Sequence, residues 1–287
     1  DSTKITKTNL ENETCLKILF LGDSYSSKPF SKKSYGDFFS EKLSDTLNYC
    51  VESIYLSSGG VGTSQQLAIL EDKIDSINPD IVFWQFYWND FLDNIKFSVH
   101  DMKNDSIIRK KAWDNSAFWA GYLNQKIPFL IDSTLGFYLS NKLINKDILR
   151  SWPINPFEGE ELYDYNKKFI SLAIKNVEKI SQKKEFSLFT TVSPLECLIV
   201  NDINCEDWTI KQHQTLESIL MENSSYISMT KYYKDDDQAV WDTSDKNSLF
   251  SDLDPAYKGI RHLSDSGEEY FGNILFENFK SQTLENN

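Results

Sequence analysis

Residues 16–24 read LKILFLGDS, an apolar run that ends in Gly22, Asp23 and Ser24. A short, continuously apolar run bounded by a turn signal is typical of a strand that is buried on both faces. A serine directly after such a strand lies at its carboxyl end, the edge of an α/β sheet where ligands bind. The stretch therefore predicts a buried first strand that presents Ser24 to a cleft.

Strand and helix patterns alternate along the rest of the chain. Apolar runs predict further strands at 51–56, 80–87, 186–192 and 226–229. Apolar residues at helical spacing predict helices at 35–47, 63–77, 162–180, 208–221 and 266–279. Because strands and helices alternate, we predict an α/β domain with a parallel sheet of five strands and right-handed crossovers.

Two stretches fall outside this alternation. Residues 1–14 are polar and lack periodicity, which predicts an N-terminal tail before a single domain at 15–287. Residues from about 95 to 156 are rich in Trp, Phe and Tyr and follow the third predicted strand. We predict a largely helical insertion or cap there, at the ligand-binding edge of the sheet. Extra helices that only fill the core are an equally good interpretation.

The net charge and the hydropathy exclude several kinds of partner. The formal net charge is -13, and such a field repels nucleic acid and anionic membranes. No run of about 20 apolar residues occurs, so we expect no transmembrane segment in this chain. The acidity itself indicates solubility and does not identify a substrate.

The four cysteines are placed as two pairs. Cys15 and Cys50 each precede a predicted strand, and parallel neighbouring strands would bring both thiols to one edge of the sheet. Cys197 and Cys205 close a short polar loop. We predict disulfides Cys15–Cys50 and Cys197–Cys205, and, since the chain begins with Asp1 and not Met, an extracytoplasmic protein, secreted or periplasmic. Four unpaired thiols in a cytosolic enzyme are the alternative.

Three further motifs follow predicted strands or precede the last predicted helix. Gly60 would let a backbone N–H approach a reacting oxygen, and Asn89 would supply an amide donor to the same oxygen. His262 lies in the loop before the final helix. Each motif alone is equally well explained as a turn or a structural histidine. Together with Ser24 they supply the nucleophile, oxyanion donors and base that acyl transfer requires.

The ordered set Ser24, Gly60, Asn89 and His262 resembles the four sequence blocks of the SGNH (GDSL-like) hydrolase superfamily. Residues 60–94, GVGTSQQLAILEDKIDSINPDIVFWQFYWNDFLDN, are similar to a branch with a G-x-G-T-x-Q turn and an N-D-x-x-D-N loop. The resemblance covers residues 16–94 and 259–279. It implies a three-layer flavodoxin-like fold without metal or organic cofactor. It also implies Ser24 as nucleophile, His262 as base, and an oxyanion hole formed by the backbone N–H groups of Ser24 and Gly60 and the amide of Asn89.

Two positions depart from the pattern of that superfamily. The superfamily usually has Asp three residues before the histidine, and this chain has Gly259 there. We predict Asp254 as the third triad member; Asp252 or a backbone carbonyl would be an alternative partner for His262. The second departure is Tyr87, which stands where Gly is frequent and predicts a narrower cleft.

The resemblance implies a serine esterase acting on a small-molecule or glycan ester, with O-acetyl groups on carbohydrate as the first expectation. A lipase- or thioesterase-type acyl hydrolase and an O-acyltransferase would use the same Ser–His site. A non-catalytic binding module on the same scaffold is a different class of function. The absence of Asp at position 259 motivates that last alternative, whereas the presence of Ser24, Asn89 and His262 argues against it.

Overall fold

The computed structural model describes residues 15–27, 31–58, 61–90, 94, 98–103, 105–110, 160–199, 207–222, 225–229, 248–251 and 261–284. The predicted tail at 1–14 and most of the predicted insertion lie outside these ranges. The division of the chain into a tail and one domain therefore stays a prediction.

The described residues form alternating strands and helices. The strands are β1 (Leu16–Gly22), β2 (Val51–Ser57), β3 (Ile81–Phe86), β4 (His100–Lys103), β5 (Ser106–Arg109), β6 (Ser187–Val192) and β7 (Tyr226–Ile227). The helices are α1 (Tyr35–Leu47), α2 (Thr63–Ile77), α3 (Glu160–Lys184), α4 (Glu196–Ile199), α5 (Asp207–Met221) and α6 (Asp265–Thr283). A 3₁₀ turn at Ser24–Ser26 follows β1 directly. The predicted strands and helices are confirmed, with bounds that differ by a few residues.

Five strands form one parallel sheet in the order β2-β1-β3-β6-β7. This is the flavodoxin-like order, with β4 and β5 set apart as a separate two-stranded sheet. In the register of the sheet, Gly22 lies level with Ser57 on one side, and Leu21 pairs with Trp84 on the other. The ends of β1, β2 and β3 therefore meet at one edge, and the predicted fold class is confirmed.

Helices cover both faces of the sheet because alternate side chains of the buried strands point to opposite sides. On one face, Phe20 and Phe83 pack with Phe39 of α1 and Phe279 of α6. The other face packs against apolar residues of α2, α3 and α5, among them Leu67, Leu70, Phe169, Ile170, Val177, Leu216 and Leu220. The two cores make β1 and β3 the interior of a three-layer domain.

Local sequence signals fix where the first two helices begin and end. Ser34 and Asp37 form a capping box at the start of α1, and the side chain of Gln65 accepts from the backbone N–H of Gly62 at the start of α2. Both helices end at an asparagine in the left-handed conformation, Asn48 with φ 49° and Asn78 with φ 48°. The N-terminal caps end the βα loops at the ligand-binding edge, and the two asparagines begin the αβ loops at the opposite edge.

The described part of the predicted insertion is not helical. β4 and β5 form an antiparallel hairpin with a turn at Asp105, where φ is 59°. Polar and apolar residues alternate over only a few positions here, which is too short a run to distinguish from helical spacing. Residues 111–159 lie outside the described residues, so the helical part of the insertion remains a prediction.

The first predicted disulfide is present. Cys15 and Cys50 are bonded across a Cα–Cα distance of 4.6 Å, because Leu16 pairs with Val51 and brings the two preceding residues together. Cys197 is also disulfide-bonded, while its predicted partner Cys205 lies outside the described residues. None of the helices in the described ranges combines the length and apolar character that crossing a bilayer requires.

Phe83 lies at the centre of the first core, so its truncation tests the packing. It is fully buried and contacts the rings of Phe20, Phe39 and Phe189. We expect Phe83→Ala to lower the free energy of unfolding by about 3–5 kcal/mol, measured by urea denaturation. Met221→Ala removes a side chain that is 62% exposed and serves as the control. Equal effects of the two substitutions would contradict this description of the core.

Candidate active site

The turn after β1 presents Ser24 at the edge of the sheet. Asp23 caps this 3₁₀ turn, since its Oδ1 accepts a hydrogen bond from Tyr25 N at 2.9 Å. Asp23 and Tyr25 are both buried, at 1% exposure each, whereas Ser24 between them is partly exposed. The turn thus buries the residues on either side of Ser24, while Ser24 itself remains partly exposed.

Close packing beneath the turn requires a glycine at position 22. A Cβ at Gly22 would lie 2.5 Å from both Gln85 Oε1 and Ser26 Oγ. In its absence, Ser26 Oγ donates to Gln85 Oε1 at 3.0 Å and is hydrogen-bonded to the Tyr35 hydroxyl at 2.7 Å. These bonds tie the turn to β3 and to the start of α1.

His262 reaches Ser24 from the other end of the chain. Its Nε2 lies 2.7 Å from Ser24 Oγ, a hydrogen bond across a separation of 238 residues. The histidine backbone is held by the segment 248–251: Ser251 N donates to His262 O at 2.9 Å, and Leu263 forms a β-bridge with Phe250. Ser264 then caps α6 by accepting from Gly267 N at 3.1 Å. The structure therefore brings together the two residues predicted as nucleophile and base.

A buried ion pair holds the residue before the histidine. Arg261 Nε donates to Glu196 Oε1 at 3.1 Å and to Oε2 at 3.2 Å, and Arg261 Nη2 also donates to Oε1. Glu196 begins α4, just after β6, and is fully buried. On the opposite side, the Tyr25 hydroxyl donates to Arg261 O at 2.6 Å. The ring centroid of Tyr25 lies 4.7 Å from that of His262.

Asp23 is a buried carboxyl group beside the Ser24–His262 pair. Burial raises its pKa to about 6, while the hydrogen bond from Tyr25 N and the proximity of His262 limit the rise. Its Oδ2 has no hydrogen-bond partner among the described residues. In the folded protein the pKa of Asp23 is thus about 6, above its ordinary value of 3.8.

Asn89 lies in the turn that follows β3, the strand adjacent to β1. Its neighbour Asp90 fixes this turn: Oδ2 accepts from Tyr87 N at 2.8 Å, and Oδ1 accepts from Gln66 Nε2 at 3.2 Å and from Thr63 Oγ1 at 3.3 Å. Gln66 Nε2 also donates to Val61 O at 2.9 Å. These hydrogen bonds connect the Asn89 turn to the loop that contains the predicted oxyanion glycine.

Several predicted site residues fall outside the described ranges. Gly60, Asp252, Asp254 and Gly259 are among them, so the glycine donor and the third triad member remain predictions. Tyr87 is described and buried, with its ring 4.2 Å from that of Tyr25 and its hydroxyl 2.9 Å from the Tyr25 hydroxyl. Its bulk is thus packed against the Ser24 turn, and the predicted narrowing of the cleft stays a prediction.

Besides the Ser24–His262 pair, the described residues contain a serine–histidine–carboxylate array between α2 and the hairpin. His100 Nδ1 lies 3.1 Å from Ser64 Oγ, and His100 Nε2 lies 3.3 Å from Glu71 Oε2. Ser64 is only 1% exposed, and its Oγ already accepts from Val99 N and His100 N. This hydroxyl cannot meet a substrate, so the array serves to attach the hairpin to α2. The third histidine, His213, is buried on α5.

The sequence analysis missed the contributions of Glu196, Arg261 and Tyr25. Arg261 and Tyr25 stand next to predicted site residues, which is the only signal that could have identified them. Glu196 is 65 residues from Arg261, and only the folded sheet reveals the pairing. Within the described ranges, no group of three or more His, Cys, Asp or Glu side chains is arranged to hold a metal ion.

No family model and no curated protein sequence matches this chain. Among solved structures, a lipase from a goat rumen metagenome is similar at 14% identity over 91% of this chain and 95% of that chain, with a TM-score of 0.49. An acetyl xylan esterase has the same identity and TM-score of 14% and 0.49, over 91% and 98% of the two chains. A family 3 carbohydrate esterase of Clostridium thermocellum is 14% identical over 94% and 98%, with a TM-score of 0.47. Likenesses at this level do not decide the chemistry of this chain.

The buried Asp23 predicts a pH dependence of stability. A carboxyl group with a raised pKa in the folded state stabilises the fold below pH 3.8, and that contribution is lost as the pH rises to about 6. We expect Asp23→Asn, which keeps an acceptor for Tyr25 N, to gain stability relative to the wild type over this interval. The gain should be of the order of 1–3 kcal/mol and level off at higher pH. Urea denaturation at several pH values measures it, and a pH-independent difference would contradict the assignment.

Proposed function

We propose that this protein is a serine esterase that hydrolyses carboxylic esters at Ser24. The single observation that supports the proposal most strongly is the 2.7 Å hydrogen bond between Ser24 Oγ and His262 Nε2. A partly exposed serine hydroxyl bonded to an imidazole is the arrangement that activates a serine for nucleophilic attack. The pair lies at the carboxyl edge of the parallel sheet, where α/β folds assemble their sites.

The reaction follows from the geometry of these two side chains. Ser24 Oγ attacks the ester carbonyl carbon while His262 Nε2 accepts the hydroxyl proton. The tetrahedral intermediate collapses, the imidazolium returns that proton to the leaving alcohol, and Ser24 carries the acyl group. A water molecule, deprotonated by His262, then attacks the acyl-serine; the acid leaves and the hydroxyl is restored.

The negative charge on the carbonyl oxygen needs hydrogen-bond donors. We assign this role to the backbone N–H groups of Ser24 and Gly60 and to the side-chain amide of Asn89. Support comes from the hydrogen bonds of Asp90 and Gln66, which hold the Asn89 turn and the loop around Val61 at the same edge as Ser24. Removing one such donor typically raises the barrier by about 2.7–4 kcal/mol. Asp254 is proposed, as in the sequence analysis, to orient His262.

Our proposal for the substrate is an O-acetyl group on a carbohydrate. It is supported by the sequence resemblance carried by Ser24, Gly60, Asn89 and His262. An extracytoplasmic location fits such a substrate and is supported by the Cys15–Cys50 disulfide.

Two of the alternatives, an O-acyltransferase and a non-catalytic binding module, predict distinct experimental outcomes. An O-acyltransferase would use the same Ser24–His262 pair but pass the acyl group to a hydroxyl acceptor, so ester turnover would rise when a sugar acceptor is added. A non-catalytic binding module would need neither an accessible serine hydroxyl nor its bond to an imidazole, both of which are present here.

Substitution of the paired residues tests the mechanism. We expect Ser24→Ala to abolish labelling by a fluorophosphonate probe, and both Ser24→Ala and His262→Ala to lower p-nitrophenyl acetate turnover by about 10⁴-fold or more. Ser76→Ala, a serine at the far end of α2, is the control and should retain full activity. Well-folded wild-type protein that neither labels nor hydrolyses the ester would refute the esterase proposal.

The length of the preferred acyl chain distinguishes a deacetylase from a lipase-type hydrolase. We expect kcat/KM for p-nitrophenyl acetate to exceed that for p-nitrophenyl octanoate by about tenfold, because the bulky Tyr87 packs against Tyr25 of the Ser24 turn, where the superfamily pattern frequently has Gly. The measurement compares the two esters at equal concentration below the micellar range. A preference for octanoate would favour the lipase or thioesterase alternative.

A further inference from the structure

The described residues contain a cluster that holds Arg261, the residue before His262, and does not enter the reaction. Glu196 accepts from the Arg261 guanidinium through both carboxylate oxygens, and its Oε2 also lies 3.4 Å from Arg261 N. Tyr25 OH donates to Arg261 O at 2.6 Å. The backbone N–H, the side chain and the carbonyl of Arg261 are thus all bonded. We call Glu196, Arg261 and Tyr25 the clamp.

The clamp leaves the imidazole little freedom to move away from the nucleophile. Arg261 is fixed on the N-terminal side of His262, and Ser251 N fixes the His262 carbonyl at 2.9 Å on the other side. The ring of Tyr25 then packs against the imidazole, tilted by 31°. Tyr25 follows Ser24 directly in the turn after β1, so the same turn that carries the proposed nucleophile also contacts the imidazole of His262.

Stability alone does not account for a buried ion pair at this position. Glu196 is 0% and Arg261 6% exposed, so forming the pair requires that both charges leave water. Replacing such a pair by apolar residues of similar size is often neutral or stabilising. A need to fix the orientation of the loop explains the pair better. The two-pronged guanidinium fixes the position of Arg261 relative to Glu196, and an apolar contact would not.

We propose that the clamp positions His262 for proton transfer with Ser24. Glu196 and Arg261 are positioning residues, because they act through the backbone of His262 and do not contact the reacting atoms. This inference rests on the esterase function proposed above. It assigns to the end of β6 a role in holding the base, in a chain that has Gly259 where its superfamily resemblance leads one to expect Asp.

The test removes the clamp without leaving an unpaired buried charge. The double variant Glu196→Leu/Arg261→Met replaces the pair by apolar side chains, and Tyr25→Phe removes only the hydroxyl. We expect the double variant to keep a melting temperature within a few degrees of the wild type, a KM for p-nitrophenyl acetate within twofold, and a kcat that is lowered about 10–100-fold. Tyr25→Phe should lower kcat by about 3–10-fold. Asp72→Leu/Arg109→Met, which removes an exposed bidentate pair, is the matched control and should change neither constant.

A conservative substitution of Arg261 distinguishes a positioning role from a purely structural one, because a structural role would leave kcat unchanged at equal thermal stability. Arg261→Lys keeps the charge but loses the fork, so we expect a kcat between those of the wild type and the double variant at equal thermal stability. A folded double variant with kcat within twofold of the wild type would overturn the clamp and leave the esterase function intact. A wild type that neither labels with fluorophosphonate nor hydrolyses the ester would overturn the esterase function and the clamp with it.

Discussion

The parallel pairing of β1 with β2 and β3 is the constraint on which the candidate site depends. This pairing brings the ends of three strands to one edge, so that the residues following each strand are neighbours in space although they are far apart in sequence. Ser24 follows β1 and Asn89 follows β3. His262 is then added from the last part of the chain by the antiparallel bridge between Phe250 and Leu263. Backbone pairing therefore sets the positions of Ser24, Asn89 and His262, and side-chain hydrogen bonds fix these positions more precisely.

The side-chain hydrogen bonds that fix these loops come from buried polar groups, each of which requires a hydrogen-bond partner. Asp90, Gln66 and Thr63 form one network that connects the loops after β2 and β3. The clamp forms a second network, which connects the loop of His262 to the end of β6. Buried polar networks are costly unless satisfied, but satisfied networks specify one arrangement of the loops that carry them. Both networks lie beside predicted site residues, where a defined arrangement matters most.

The sequence predicted the layers and most of the strands because apolar periodicity reports burial directly. The contact between Ser24 and His262 was predictable because both residues were placed at the same edge of the sheet, while their catalytic roles stay a prediction. The β4–β5 hairpin was not predictable, since its strands are too short to show a period. The Glu196–Arg261 pair was not predictable either, because no local pattern connects two residues that meet only after β6 is placed in the sheet.

The two serine–histidine contacts among the described residues, Ser24–His262 and Ser64–His100, differ in what surrounds the serine hydroxyl. The imidazole of His100 lies 3.3 Å from a carboxylate oxygen of Glu71, a distance that a catalytic triad would also show. Yet the Ser64 hydroxyl is buried and accepts two backbone N–H groups, so its oxygen is neither accessible nor free to attack. In the Ser24 turn, Tyr25 N donates to the Asp23 side chain and Ser27 N donates to Ser24 O, so these backbone groups do not use the serine hydroxyl. A nucleophile requires a hydroxyl that the fold exposes and does not use for itself, and in the described residues Ser24 beside His262 meets that condition.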